Sequence, residues 1–337
     1  MEKSLMENWA KKIMREVSFK NSRLISIADQ GKEENLRNLI FEGTFQKKPS
    51  ILKIYDEPRR IREAASLAYF NKANKSRKLI GPQIYRSKEL SPTRGWYVME
   101  KLPADGYFLS QLNARNPLSL SGRKEFLEVF LEYKKYFPKK SFRPLLLAEK
   151  LPAEEFHITR IHRWFEMANE KEIELELKGK KTALDAKIFF PLYFKAQSLI
   201  KKEFKGRKMI WSHGHFKPKE IFFSPKRNVY YITDFAHTYF YPEGYELGFM
   251  IWSDWLLGAD WKIDFRTWRI GVDSWLKDVI PIARKLKMKN PERLMKASLA
   301  ERTLGAILAD VTASRKPIAE KVGRLKLLLA LLKDLTK

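Results

Sequence analysis

The chain of 337 residues contains no cysteine, so disulfides and thiolate zinc sites are excluded. No apolar run approaches the roughly 20 residues needed to cross a bilayer. The opening MEKSLMENWAKKIM is charged throughout and lacks the apolar core of a signal peptide, which makes a cytoplasmic location the expectation. Acid is in short supply as well: 40 Asp and Glu stand against 66 Lys and Arg, a net charge of +26. Such a field attracts phosphates, nucleic acids or anionic lipid surfaces and speeds encounters with them. It also repels a cationic small molecule unless a local acidic patch compensates. The densest basic clusters, Lys201 and Lys202 with Lys205 to Lys208, and Arg284 to Lys289, are short. Lysines scattered over solvated helix faces fit that pattern equally well.

What the chain has in quantity is core-forming material, 44% hydrophobic and 13% aromatic residues. Its length suffices for one large domain or two lobes, each with a core of its own. The first hundred residues read as strands with one helix. Leu24 to Ile27 alternates, a polar turn over residues 30–35 leads into Leu36 through Phe45, and a turn at Lys47-Lys48-Pro49 leads into Ile51 through Tyr55. Pro58 then opens a helical pattern that puts Ile61, Ala64, Ala65, Ala68 and Tyr69 on one face. Strands near Gln83 to Tyr85 and over Trp96 to Met99 complete a small antiparallel sheet.

From Leu102 the periodicity turns helical, over Gly122–Phe137, Ala153–Lys178, Ala183–Phe204, Leu247–Leu257, Thr267–Lys285, Pro291–Ala309 and Ile318–Leu335. A hairpin of two short strands, Glu220–Phe223 and Val229–Thr233, interrupts it. The expected architecture is therefore α+β and bilobal. A small antiparallel β lobe with one helix occupies residues 1–101, and a large, mainly helical lobe occupies residues 102–337.

The most informative stretch runs from Ser212 to Phe249. A His-Gly-X turn at His213-Gly214-His215 is followed by Glu220 and then by Ile232-Thr233-Asp234-Phe235, an Asp that closes a short apolar strand. This layout suits the holding of metal and phosphate. It resembles the catalytic segment of the aminoglycoside phosphotransferases and choline kinases, whose pattern is His-Gly-Asp…Asn followed by Ile-Asp-Phe/Trp. His215 stands where that family has its catalytic Asp, and Glu220 stands where it has Asn.

The resemblance implies a protein-kinase-like fold and ATP- and Mg2+-dependent transfer of a phosphoryl group to a small-molecule hydroxyl. Asp234 and Glu220 would hold the metal, since carboxylate oxygens are hard ligands. His215 would face the acceptor as catalytic base, imidazole being able to take a proton near neutral pH. His213 would support the loop. Glu246, in Tyr241-Pro242-Glu243-Gly244-Tyr245-Glu246-Leu247, would brace it, although an acidic residue in a helix's first turn is also favoured by the helix dipole alone. Lys53, inside an apolar strand, would contact the nucleotide phosphates with Glu63 as its partner. Lys32, in the turn between the first two strands, would reach a phosphate or sit in an ordinary polar hairpin. Glu100 and Leu102, in Met99-Glu100-Lys101-Leu102, would form the hinge that meets the adenine.

Two readings of the same residues follow. One is a kinase of this kind with a replaced base, partnered by nucleotide and a small-molecule acceptor. The other is a pseudokinase that binds nucleotide or an anionic partner without turnover. Through its positive charge the protein could also engage an anionic surface or nucleic acid.

Overall fold

The computed structural model describes residues 2–29, 36–58, 62–111, 117–141, 151–180 and 183–337. The chain divides into two compact units: Met1–Gln111 with Glu125–Phe142 and Lys219–Tyr239, and Leu112–Lys124 with Arg143–Pro218 and Phe240–Lys337.

The first unit begins with a helix, α1 (Lys3–Glu16), followed by β1 (Lys20–Asp29), β2 (Leu36–Phe45) and β3 (Lys48–Asp56). Next come α2 (Glu63–Ala73), β4 (Leu79–Ile80), β5 (Ile84–Glu89), β6 (Arg94–Glu100) and β7 (Tyr107–Phe108). Five of these strands form an antiparallel sheet in the order β1-β2-β3-β6-β5. The β2–β3 connection is the two-residue turn Gln46-Lys47, with φ of 49° and 64°. Its two left-handed residues match the twist of the strands it joins. Pro49, expected in that turn, instead lies within β3 opposite Thr44.

Helix α1 joins the one helix expected alongside this sheet. Its many charges obscure an apolar face of Met6, Ala10 and Ile13, spaced as one side of a helix. These three are buried against Leu39, Leu52, Ile54, Trp96 and Val98. In α2 the buried face is Glu63, Ala64, Ser66, Leu67 and Phe70, while Ala68, expected inside, is exposed. The helix is rotated because Glu63 turns inward toward a charge on β3.

A second, four-stranded sheet belongs to the same unit, in the order β4-β10-β9-β7, where β9 is Ile221–Ser224 and β10 is Val229–Ile232. Strands β9 and β10 form the expected hairpin, joined by Pro225-Lys226-Arg227-Asn228 with Asn228 left-handed at φ 51°. Helix α3 (Leu120–Tyr136) has its first residues in the second unit and the remainder in the first.

The second unit is helical: α4 (Ala153–Leu177), α5 (Ala186–Phe204), α6 (Tyr245–Ile251), α7 (Phe265–Lys285), α8 (Pro291–Gly305) and α9 (Ile318–Leu335). Helices α6 and α8 run on into wider π-type turns, Trp252–Leu256 and Ala306–Thr312. Asp264 caps α7 by accepting from the Thr267 N–H at 3.0 Å, and Pro291 opens α8. A two-stranded sheet of β8 (Met209–Ser212) and β11 (Tyr239–Pro242) pairs two short segments far apart in the chain, so no connecting turn marks it in the sequence. Trp268 and Trp275 are fully buried core, the Trp275 indole donating to Asp254 at 3.0 Å. Helix α9 buries Leu325, Leu328, Leu331, Leu332 and Leu335. No helix among the described residues is long and apolar enough to cross a membrane.

Candidate functional site

In the first unit, Lys53 lies on β3 and is almost wholly buried, while Leu52 and Ile54 beside it in the strand pack on the opposite face of the sheet. Burying a charge alone is costly, and the chain supplies a counter-charge ten residues on. The Lys53 ammonium donates to both oxygens of Glu63, to Oε1 at 2.9 Å and to Oε2 at 2.7 Å. Both residues are buried, at 6% and 4% residual exposure. The Tyr97 ring on β6 lies 5.8 Å from the ammonium and supplies a cation–π contact. Lys53 and Glu63 are thus brought together, and the pair fixes how α2 docks on the sheet.

The β9–β10 hairpin brings together two further residues. Its register pairs Ile221 with Ile232, which sets Glu220 opposite Thr233, one residue before Asp234. The ladder continues through this position: the Thr233 N–H donates to the Glu220 carbonyl at 3.0 Å. The Thr233 hydroxyl donates to the Glu220 carboxylate at 2.9 Å, fixing its orientation. Asp234 adopts a left-handed conformation, φ 55° and ψ 57°, which turns the chain out of the strand. Phe235 is buried against Phe70 of α2, ring centroids 5.2 Å apart. The helix that carries Glu63 therefore also anchors the residue after Asp234. Thr233, Tyr97 and the Phe70–Phe235 contact were not singled out from the sequence. Only the Phe following the strand-ending Asp offered a signal.

The hinge segment is occupied by its own contacts. The Glu100 N–H donates to the Gln83 carbonyl at 2.8 Å, and the Lys101 N–H to the Pro49 carbonyl at 3.3 Å. The Glu100 carboxylate accepts from Arg227 at 3.0 Å and from the Gln83 N–H at 3.2 Å. The side chain of Glu100 thus ties β6 to the β9–β10 loop. Lys32 lies outside the described residues.

In the second unit, the His213-Gly214-His215 turn follows β8. Gly214 has φ +79°, and a Cβ there would collide with the Tyr241 ring, so only glycine fits. The Gly214 N–H points at Glu246 Oε1 at 3.4 Å, and Glu246 is buried in the first turn of α6. His213 is fully buried. His215 is half-buried, and its ring stacks on Phe249 of α6, centroids 5.1 Å apart and planes 29° from parallel.

A buried polar cluster behind α6 had no recognisable sequence signal. The Arg302 guanidinium lies over the rings of Tyr245, Phe249 and Trp164, at 4.9, 5.9 and 5.1 Å. It donates to Glu301 Oε1 at 2.7 Å. Burial alone would raise the Glu301 carboxyl, but Arg302, Arg160 and His157 together hold it well below the usual carboxylate range. Burial lowers His157, which favours its neutral form. The aromatic floor under His215 thus rests on a fixed ion pair.

No protein-family model matches the chain, and no curated protein shows significant sequence similarity to it. Solved structures do resemble it. A thermostable variant of the aminoglycoside phosphotransferase APH(4)-Ia, in ternary complex with AMP-PNP and hygromycin B, matches with TM-score 0.56 at 11% identity, over 97% of this chain and 96% of that one. An ethanolamine kinase from Plasmodium vivax matches with TM-score 0.51 at 14% identity, over 91% and 82%. A structure of LicA in complex with AMP matches with TM-score 0.51 at 11% identity, over 99% of both chains. The chain has the α+β fold of these small-molecule kinases.

Proposed function

We propose that this protein is an ATP- and Mg2+-dependent phosphotransferase that acts on a hydroxyl group of a small molecule. The observation that carries the reading is the hairpin register, which sets an oriented Glu220 beside Asp234 in the same unit as the buried Lys53–Glu63 pair. The fold adds support, since relatives in structure were solved with AMP-PNP and with AMP. Lys53 binds nucleotide phosphates and Glu63 holds it in place. Two carboxylate residues one register position apart on the same hairpin offer hard oxygen donors of the kind Mg2+ prefers. When bound, the ion supplies charge neutralisation at the phosphates.

With the Glu100 and Lys101 N–H groups already engaged, the hinge contact to adenine falls to Leu102, with Glu100 holding the segment. Lys32 is assigned to the phosphates as well. Nucleotide handling belongs to residues 1–101 together with the hairpin, and acceptor binding to the helices of residues 102–337. His213 and Glu246 keep the loop in shape around Gly214. His215 takes the proton of the acceptor hydroxyl as its oxygen bonds the γ-phosphorus and the bond from that phosphorus to the departing ADP oxygen breaks. Stacking on Phe249 keeps the imidazole in one orientation for that transfer.

The replacement of the resembled Asp by His215 favours a second reading, a pseudokinase that retains nucleotide without turnover. Thermal shift and ATP consumption, measured on the same preparation, separate the two. An enzyme is stabilised by Mg-ATP and consumes it in the presence of an acceptor. A pseudokinase is stabilised without consumption. Protein neither stabilised by Mg-ATP nor active on it refutes both.

A further inference from the structure

We infer that the outward face of α5 docks on an anionic lipid surface. The helix has two very different sides. Phe189, Tyr193, Ala196, Ile200 and Phe204 are buried in the helical unit. The opposite side exposes Ile188 at 54%, Phe190 at 37% and Phe194 at 59%, with Pro191 exposed among them. Water-facing aromatics of this size in one helix stripe are unusual for a surface with no partner. They are held in place: Phe194 stacks on Phe190, centroids 6.2 Å apart, and Phe190 packs on Phe165 of α4.

The charges on this face have one sign. Lys187, Lys195, Lys201 and Lys202 are exposed along α5, and Lys205 follows at its end. Asp185, exposed at the head of α5, is occupied in capping it, accepting from the Lys187 N–H at 2.9 Å, and Glu166 is an exposed acid on the neighbouring α4. Aromatic and aliphatic side chains flanked by lysines on one face of a helix match the interfacial zone of a bilayer. Apolar groups enter the acyl boundary while ammonium groups meet lipid phosphates, each cation adding to the attraction.

Other occupants fit less well. A second copy of the same face would set lysine against lysine. A nucleic acid would need open ring faces in a groove for base stacking. Here the Phe190 and Phe194 rings lie against each other at 24° on a convex helix.

The test is co-sedimentation of the full chain with phosphatidylcholine vesicles and with vesicles containing about a third phosphatidylglycerol. Binding to the anionic vesicles alone is expected. Replacing three cations in K195Q/K201Q/K202Q should lower the partition coefficient roughly 100-fold. F194S should lower it at least about tenfold, and circular dichroism reports whether both variants remain folded. K139Q/K140Q/K289Q removes as many exposed lysines elsewhere and should leave binding within about twofold. Equal loss in the control variant would reduce the effect to general net charge and overturn the inference. So would equal binding to neutral vesicles, RNA retention without vesicle binding, or self-association abolished by F194S. None of these outcomes bears on nucleotide binding, which Mg-ATP thermal shift reads separately.

Discussion

Removing one member of the Lys53–Glu63 pair should cost far more than removing both. The ammonium makes bonds of 2.7 and 2.9 Å to the two carboxylate oxygens, with residual exposures of 6% and 4%. In K53M the buried Glu63 carboxylate loses the ammonium that bonds both its oxygens, and in E63L the ammonium loses that carboxylate. Breaking a buried pair from one side costs about 3–5 kcal/mol, whereas exchange of both partners for apolar residues of similar volume is often neutral. K53M/E63L should therefore lie within about 1 kcal/mol of the parent, giving a coupling energy of several kcal/mol in a double-mutant cycle. Urea unfolding monitored by circular dichroism supplies the stabilities. The same double variant should lose stabilisation by Mg-ATP, because the phosphate contact is gone while the fold persists. Additive single and double costs would refute the claim that these charges depend on each other. Retained Mg-ATP stabilisation in the double variant would refute the role of Lys53.

Three further outcomes are expected. G214A should destabilise by about 2–4 kcal/mol, combining a strained positive φ with a clash against Tyr241, and calorimetry measures it. H215A should lower kcat by about 10²–10⁴ while leaving Mg-ATP binding within a few-fold, and steady-state kinetics beside a binding titration distinguish the two effects. Asp310 concerns pH. Burial pushes its carboxyl up from 3.8 to about 6, against the Trp252 indole that donates to it at 2.8 Å. The folded state then holds a proton that the unfolded chain has released, so stability falls as pH rises from about 4 to about 6. Partial solvent access leaves this at about 2 kcal/mol. D310N keeps an acceptor for Trp252, should gain about that much at pH 7, and should flatten the slope in urea unfolding series across pH 4–7.

Much of the architecture was legible because long periodic segments carry their own evidence. The last helix occupies Ile318–Leu335 as its leucine spacing implied. The β9–β10 hairpin was readable from apolar runs around Pro225 to Asn228. Helix α1 was hidden because three buried residues suffice to dock it while charges fill the remaining positions. The rotation of α2 is hidden for another reason: an apolar pattern does not register Glu63, the residue that sets the rotation. For the site, Lys53, Glu63, Glu220, Asp234 and the His213–His215 turn were recognisable as residue types in order. What the sequence could not supply is the hydroxyl of Thr233 on Glu220, or Phe249 beneath His215. Both depend on register and packing between segments distant in the chain. The Glu301–Arg302 pair was equally silent, since adjacent opposite charges on a helix ordinarily face water.

The hairpin carboxylates hold the central position in this reading, and isothermal titration with ATP in the presence and absence of Mg2+ tests them directly. The wild-type protein should bind ATP in a Mg2+-dependent manner. D234N should lose that dependence with its circular dichroism spectrum unchanged, and E220Q should weaken it. Equal ATP binding with and without Mg2+, or unaltered Mg2+ dependence in D234N, would contradict the assignment of the hairpin as the metal-holding element.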